Sequence, residues 1–336
     1  MSISQPLLLT LLAFAFALGV FTGTGMGIFT SSSSGKGDSI PETAEGTFRF
    51  IRASVSSSSS GKNQSTKELK PFQYKVNGLI ENSVKSERVS TVSVYFRDLN
   101  NGNWFGIREH DKFSPRGLLK VPIMIAYFKW AESSPLVLRK TLISTGKEQG
   151  NDKNSTTTAK ELEPGKSYTV NDLIFRMIAH DDAESFSLLY ANLPSGRLDK
   201  IFKDLYGEYD PMKQNDSLSL NAFAAYFRVL YNASYLSEEM SEKALRYLAK
   251  SPFRQGMAAG IPLNIDIASE HGERTLPITS DGEEHEISQM HEFGVIYHPN
   301  RPFLLGVMAR GNNVDQLKNV IRDITRLVYE EVDKQS

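Results

Sequence analysis

The stretch Phe113-Ser114-Pro115-Arg116-Gly117-Leu118-Leu119-Lys120-Val121-Pro122 decides how this chain is read. From Leu118 to Trp130 apolar residues crowd every turn (Leu118, Leu119, Val121, Ile123, Met124, Ile125, Ala126, Phe128), too many for a single stripe. A helix that is apolar on most sides must be buried on most sides, so the spacing predicts the core helix of the molecule. Pro122 has no N–H to give and is tolerated only near the first turn, which sets the helix start just before it and Gly117 at or near its N-terminus. Gly117 and Lys120, three residues apart, then share a face.

Working outward, Lys70 to Ser83 has amphipathic helical spacing through Phe72, Val76, Leu79 and Ile80. Val92, Val94 and Phe96 alternate strictly, Asn100-Asn101-Gly102 marks a turn, and Trp104 to Ile107 completes a β-hairpin. Beyond a polar loop containing Asn151 to Thr158, Thr169-x-x-Asp172 predicts a capping box that opens a helix over Val170–Ala179. That helix stops at His180-Asp181-Asp182, and another follows from Ala183 towards Ala191. Further helices are expected over Leu220–Leu230 and Ser237–Lys250, and strands over Phe293–Tyr297 and Phe303–Met308. Asn313 is a suitable N-cap for a final amphipathic helix carrying Leu317, Val320, Ile321, Ile324, Leu327 and Val328. Helix, hairpin, an all-helical stretch, two strands and a closing helix make an α+β order, not repeated βαβ units.

The pattern F-x-P-x-[S]-L-L-K-V-P resembles the catalytic helix of class A β-lactamases and the related penicillin-recognising serine hydrolases, over roughly Lys70 to Val332. The resemblance implies a β-lactamase-like fold, an antiparallel sheet flanked by helices beside an all-helical subdomain. It also implies three motifs lining one cleft. In the first, S-x-x-K, the serine attacks, the lysine one turn on takes its proton, and the helix N-terminus offers N–H groups to an oxyanion. Here that motif reads Gly117-Leu118-Leu119-Lys120, so the lysine is retained and the nucleophile is not. The second, S-D-N, aligns with His180-Asp181-Asp182, keeping only the middle aspartate. The third, K-T-G, aligns with Glu270-His271-Gly272, followed by Arg274. It keeps only the glycine and exchanges a lysine for a glutamate, which makes the cleft acidic and unsuited to a carboxylate substrate. The E-x-x-L-N element of class A β-lactamases has no clear match between Ala183 and Ala222. By resemblance His180, Asp181, Asp182, Glu270, His271, Gly272 and Arg274 are the ligand-binding candidates, and Lys120 is the retained catalytic one.

The composition excludes several classes and leaves the compartment open, although a cysteine-free chain suits export. The chain has 336 residues, 40% hydrophobic and 23% charged, with a net charge of −1 and no cysteine. A near-neutral balance argues against nucleic acid as a partner, and the missing cysteines exclude disulfides, thiol catalysis and thiolate metal sites. Pro6 to Phe29 is free of charge and long enough to cross a bilayer, which takes ~20 residues, so 1–30 is expected to be a transmembrane anchor or signal segment, with an uncleaved anchor favoured. Gly19, Gly23 and Gly27 fall on one helix face and suit close packing of two such anchors. From Ser31 to Lys67 the chain is rich in Ser, Gly, Lys, Thr and Asn, with Ser-Ser-Ser-Ser-Gly-Lys occurring twice, as expected of a disordered tether; within it only Phe48-Arg49-Phe50-Ile51-Arg52 has the apolar content to dock. The expected plan is anchor (1–30), linker (31–67) and β-lactamase-like domain (68–336), single-pass with the domain extracytoplasmic.

Three functional readings follow. One is a pseudoenzyme that binds or scaffolds at the cell envelope, with peptidoglycan or a β-lactam-like ligand as its partner. Another is a serine hydrolase with a relocated nucleophile, Ser114 being the nearest hydroxyl. The third reuses the cleft for a metal, if His180 and His271 converge with Asp182 and Glu270 in a geometry that suits zinc. No motif calls for a cofactor, and His110, His285, His291 and His298 receive no role.

Overall fold

The computed structural model describes residues 48–52, 69–114, 116–146, 161–206, 218–280 and 283–336. The apolar span over Pro6–Phe29, its three glycines and the polar loop Asn151–Thr158 lie outside the described residues. Among the described residues no helix is long and apolar enough to cross a membrane.

The first helix, α1 (Lys70–Lys85), leads into strands β1 (Thr91–Asp98) and β2 (Trp104–Ile107), which form the expected hairpin. A short strand β3 (Lys112–Phe113) and a 3-10 turn (Arg116–Leu119) enter the core helix α2 (Lys120–Ser133). Two short strands, β4 (Thr141–Ile143) and β5 (Ser167–Thr169), pair ahead of helices α3 (Val170–Ala179), α4 (Ala183–Asn192) and α5 (Arg197–Tyr206). Strand β6 (Leu218–Ser219), paired with β3, precedes α6 (Leu220–Tyr231) and α7 (Glu238–Leu248). The chain ends with strands β7 (Ile267–Ser280), β8 (Glu283–Ile296) and β9 (Phe303–Gly311) and helix α8 (Val314–Lys334).

Five strands form one antiparallel sheet in the order β2-β1-β9-β8-β7. Both faces are covered, and the period-two alternation of the central strands sorts their side chains between two cores. Val92, Val94 and Phe96 of β1 and Leu305, Val307 and Ala309 of β9 join α1 and α8 in one core. Tyr95, Leu304 and Met308, on the opposite face, join α2, α3 and α6 in the other. Helix α2 buries Val121 through Phe128 without interruption, as an all-round apolar sequence requires. Its start differs in detail from expectation: Gly117 lies in the 3-10 turn, and α2 proper begins at Lys120. The caps are as read. Thr169 accepts from the Asp172 amide and Asn313 from that of Gln316, each satisfying an N–H that helix geometry leaves free.

Strands β7 and β8 each run 14 residues, but β9 pairs with β8 only from Ser288 onward. The outer part of this hairpin therefore extends past the sheet as a two-stranded ribbon. Deep in the same strand pair, Glu292 is fully buried. One carboxylate oxygen accepts the Met257 amide at 2.8 Å and the other accepts from Ser269 Oγ at 3.3 Å. This ties the turn Met257–Gly260 to the sheet, and it requires Gly256, where a Cβ would fall 2.0 Å from that carboxylate. Burial pushes the Glu292 carboxyl up to about 8, against the pull of those two hydrogen bonds.

A carboxyl raised in this way is neutral in the folded protein and ionises at lower pH once unfolded. Its contribution to stability is complete below the ordinary carboxylate range and is lost as pH rises through about 8. Glu292→Gln keeps an acceptor for Met257 and removes the titration. Thermal melts between pH 5 and 9 should show wild type losing stability towards pH 9 more steeply than the variant; parallel profiles would refute the assignment.

Candidate functional site

Three separate parts of the chain bring charge to one buried point. Lys120, the first residue of α2, donates from Nζ to Asp181 Oδ1 and, at 3.0 Å, to Glu270 Oε1 on β7. Lys120 and Glu270 are almost completely buried, with side chains 8% and 1% exposed, and Asp181 is 19% exposed. Burial pulls the Lys120 ammonium down, but the charges of Glu270 and Asp181 and their hydrogen bonds outweigh it and hold the pKa well above the ordinary lysine value. Burial also opposes the Asp181 charge, yet Lys120 and His271 bring its pKa below the usual range. For Glu270 burial prevails and pushes it up to about 7 in spite of Lys120.

The backbone explains why these groups meet. Asp181 has φ +56°, a left-handed conformation that Asp tolerates better than most side chains, and it breaks the chain between α3 and α4. Asp182 then caps α4 by accepting the Ser185 amide at 2.9 Å and pairs with Arg176 Nε at 2.9 Å, so both its oxygens are engaged in holding helices. His180 is the C-cap residue of α3 and lies edge-on to Phe175, ring centres 5.3 Å apart. Of the second-motif residues, Asp181 alone joins the site.

On β7, His271 is buried and its ring stacks on Phe253 at 4.1 Å with an interplanar angle of 11°. Its Nε2 lies 4.0 Å from Asp181 and its Nδ1 3.8 Å from Glu270. Burial, followed by the Lys120 charge, lowers its pKa to about 4, so the imidazole is neutral. The convergence of His180, His271, Asp182 and Glu270 on a metal does not form: Asp182 is taken up by Arg176 and a helix cap, and no group of three or more potential ligands occurs among the described residues.

Gly117 lies directly against this strand. A Cβ added there would sit 2.9 Å from the His271 carbonyl oxygen and 3.0 Å from Gly272 Cα, both backbone atoms. Any side chain at this position would require the strand backbone to shift. Glu270 likewise departs from the sequence-based expectation. It does not make an open cleft acidic; it turns inward and pairs with Lys120. Arg274 donates from Nη1 to Ser114 Oγ at 2.8 Å. The Ser114 carbonyl accepts from His291 Nε2 at 2.9 Å. A hydroxyl held by a guanidinium has a donor beside it where a nucleophile needs a base.

Four contributors escaped the sequence reading. His291 and Gln289 on β8 fix the segment before Gly117, Phe253 stacks on His271, and Glu292 lies opposite His271 in the strand register. A glutamate inside the apolar run Met290 to Val295 was the visible sign of the last. Chemically, the site brings together a protonated lysine, an ionised aspartate and a neutral histidine, and position 117 carries no side chain.

Comparison with known proteins agrees with this architecture. No curated protein gives a significant match to the chain. Among solved structures, PBP-A superposes with a TM-score of 0.64 at 18% identity, covering 79% of this chain and 97% of that one. A PBP-A mutant solved as an acyl-enzyme complex with penicillin G gives 0.63 at 18% identity, covering 79% and 97%. The class A β-lactamase of Mycobacterium abscessus gives 0.61 at 18%, covering 77% and 98%. At such identities these likenesses establish the fold. A family model described as the β-lactamase enzyme family matches residues 75–332, from α1 to the end of α8. The chain belongs to the β-lactamase enzyme family.

Proposed function

We propose that this chain is a membrane-anchored, catalytically silent β-lactamase-like domain, a pseudoenzyme that acts as a binding or scaffolding module at the cell envelope. The observation that carries the reading is the state of Lys120. A lysine that is to take a proton from serine must offer a lone pair near neutral pH. Lys120 is instead held as a cation by two carboxylates, beside a glycine whose Cβ space is filled by strand backbone.

The losses support one another. With no hydroxyl at position 117, a basic lysine would serve no purpose, and charge pairing turns it into a link between α2, the α3–α4 turn and β7. The anchor rests on the uncharged span Pro6–Phe29, which has the length of a bilayer crossing. An extracytoplasmic domain on such an anchor faces peptidoglycan, the partner class we assign, with β-lactam-like compounds as its small-molecule counterparts. Gly19, Gly23 and Gly27 give the anchor a face for pairing with a second copy. The competing reading, a hydrolase that has moved its nucleophile to Ser114, is disfavoured by the Arg274 donor on that hydroxyl.

Full-length protein incubated with a labelled penicillin should remain unmodified, while co-sedimenting with purified cell-wall sacculi. Covalent labelling would overturn the silent-site reading, and a protein left in the supernatant would overturn the envelope-binding one. Gly117→Ser should not restore acylation. Its side chain must push on the β7 backbone, at a cost of about 1–3 kcal/mol in a denaturant titration. An acylated, undestabilised variant would show that the cleft is intact.

A further inference from the structure

The segment Phe48–Arg52, far from the candidate site, is held in a way that surface loops seldom are. Phe50 and Ile51 donate their backbone N–H groups to one carboxylate oxygen of Glu242 on α7, at 2.7 and 3.1 Å. The Phe50 carbonyl accepts the Tyr297 hydroxyl at 3.0 Å, and the Arg52 amide donates to the Tyr231 carbonyl at 2.7 Å. The side chains of Phe50 and Ile51 are buried, and the Phe50 ring meets that of Tyr297 edge-on at 5.1 Å. Arg49 pairs with Asp266.

These partners belong to both parts of the domain. Tyr231 ends α6 and Glu242 lies within α7, whereas Asp266 and Tyr297 flank β7 and β8 at one end of the sheet. The reliance is mutual. Glu242 is only 3% exposed, and its other carboxylate oxygen accepts from Arg246 at 3.4 Å. Without the segment, a buried carboxylate would lose its two shortest hydrogen bonds, a costly change.

We propose that Phe48–Arg52 is a built-in peptide ligand, seated in a groove that reads a bent backbone through Glu242, Tyr297 and Tyr231 and takes an aromatic–aliphatic pair of side chains. It clips the helical part to the sheet and fixes where the N-terminal segment leaves the domain. The inference does not depend on the proposed function.

Because the chain has no cysteine, Phe48→Cys, at a residue 45% exposed, gives a single site for a spin label in the detergent-solubilised full-length protein. The label should be restricted in the otherwise native chain and free in the Glu242→Ala background. Deuterium exchange at the Phe50 and Ile51 amides should quicken tenfold or more in Glu242→Ala, with α2 and β9 still protected. Should that variant fail to fold, Tyr297→Phe removes only the hydroxyl on Phe50 and should speed exchange across Phe50–Arg52 several-fold. A freely mobile label in the native background, or exchange unchanged in both variants, would overturn the proposal.

Discussion

One ammonium group, shared between two carboxylates and almost sealed from water, joins the core helix, the α3–α4 turn and the edge strand. Lys120 begins the core helix, Asp181 sits in the left-handed turn between two helices, and Glu270 belongs to the edge strand. Removing one member of a buried ion pair leaves an uncompensated charge and typically costs ~3–5 kcal/mol, so each group constrains the other two. The close seating of β7 on Gly117 fits the same constraint: the strand carries Glu270 to the lysine, and the glycine lets it approach. A side chain at 117 would press on the backbone of that strand at His271 and Gly272.

The ionic arrangement bears on how the proposed silence of the site would arise. Lys120 is protonated, His271 is neutral and stacked on Phe253, and a Cβ at position 117 would press on the strand backbone. Glu292, behind the same strand, adds a further buried carboxyl whose hydrogen bonds hold the turn at Met257 rather than any solvent-facing group. These polar groups bond to one another and to backbone in the interior of the fold.

Much of this architecture was legible in the sequence. Thr169 and Asn313 mark their helices because a side-chain oxygen is the local answer to unsatisfied N–H groups, and Val92, Val94 and Phe96 name one of the two buried faces of β1 by alternation alone. Helix α5 was missed, although Leu198, Ile201 and Phe202 have helical spacing, and the long β7–β8 ribbon was missed because Pro277 and the polar run from Glu283 to Glu286 break its strand pattern. The site was legible as a set of losses and not as a new arrangement. Glu270 reads as an exposed acid until the fold brings it, 150 residues along the chain, onto Lys120. Pairing at that separation leaves no local pattern. The docking of Phe48–Arg52 was foreshadowed by its apolar content within a polar segment, but its acceptor, Glu242, looks like any charged helix residue.

The charge on Lys120 is the central claim, and nitrogen-15 NMR of the lysine side chains tests it directly. A protonated, hydrogen-bonded Nζ that persists from pH 6 to pH 10 and is lost in Lys120→Met is the expected result. Deprotonation of Lys120 near neutral pH would contradict the account, because it would return to the site the base that acyl transfer requires.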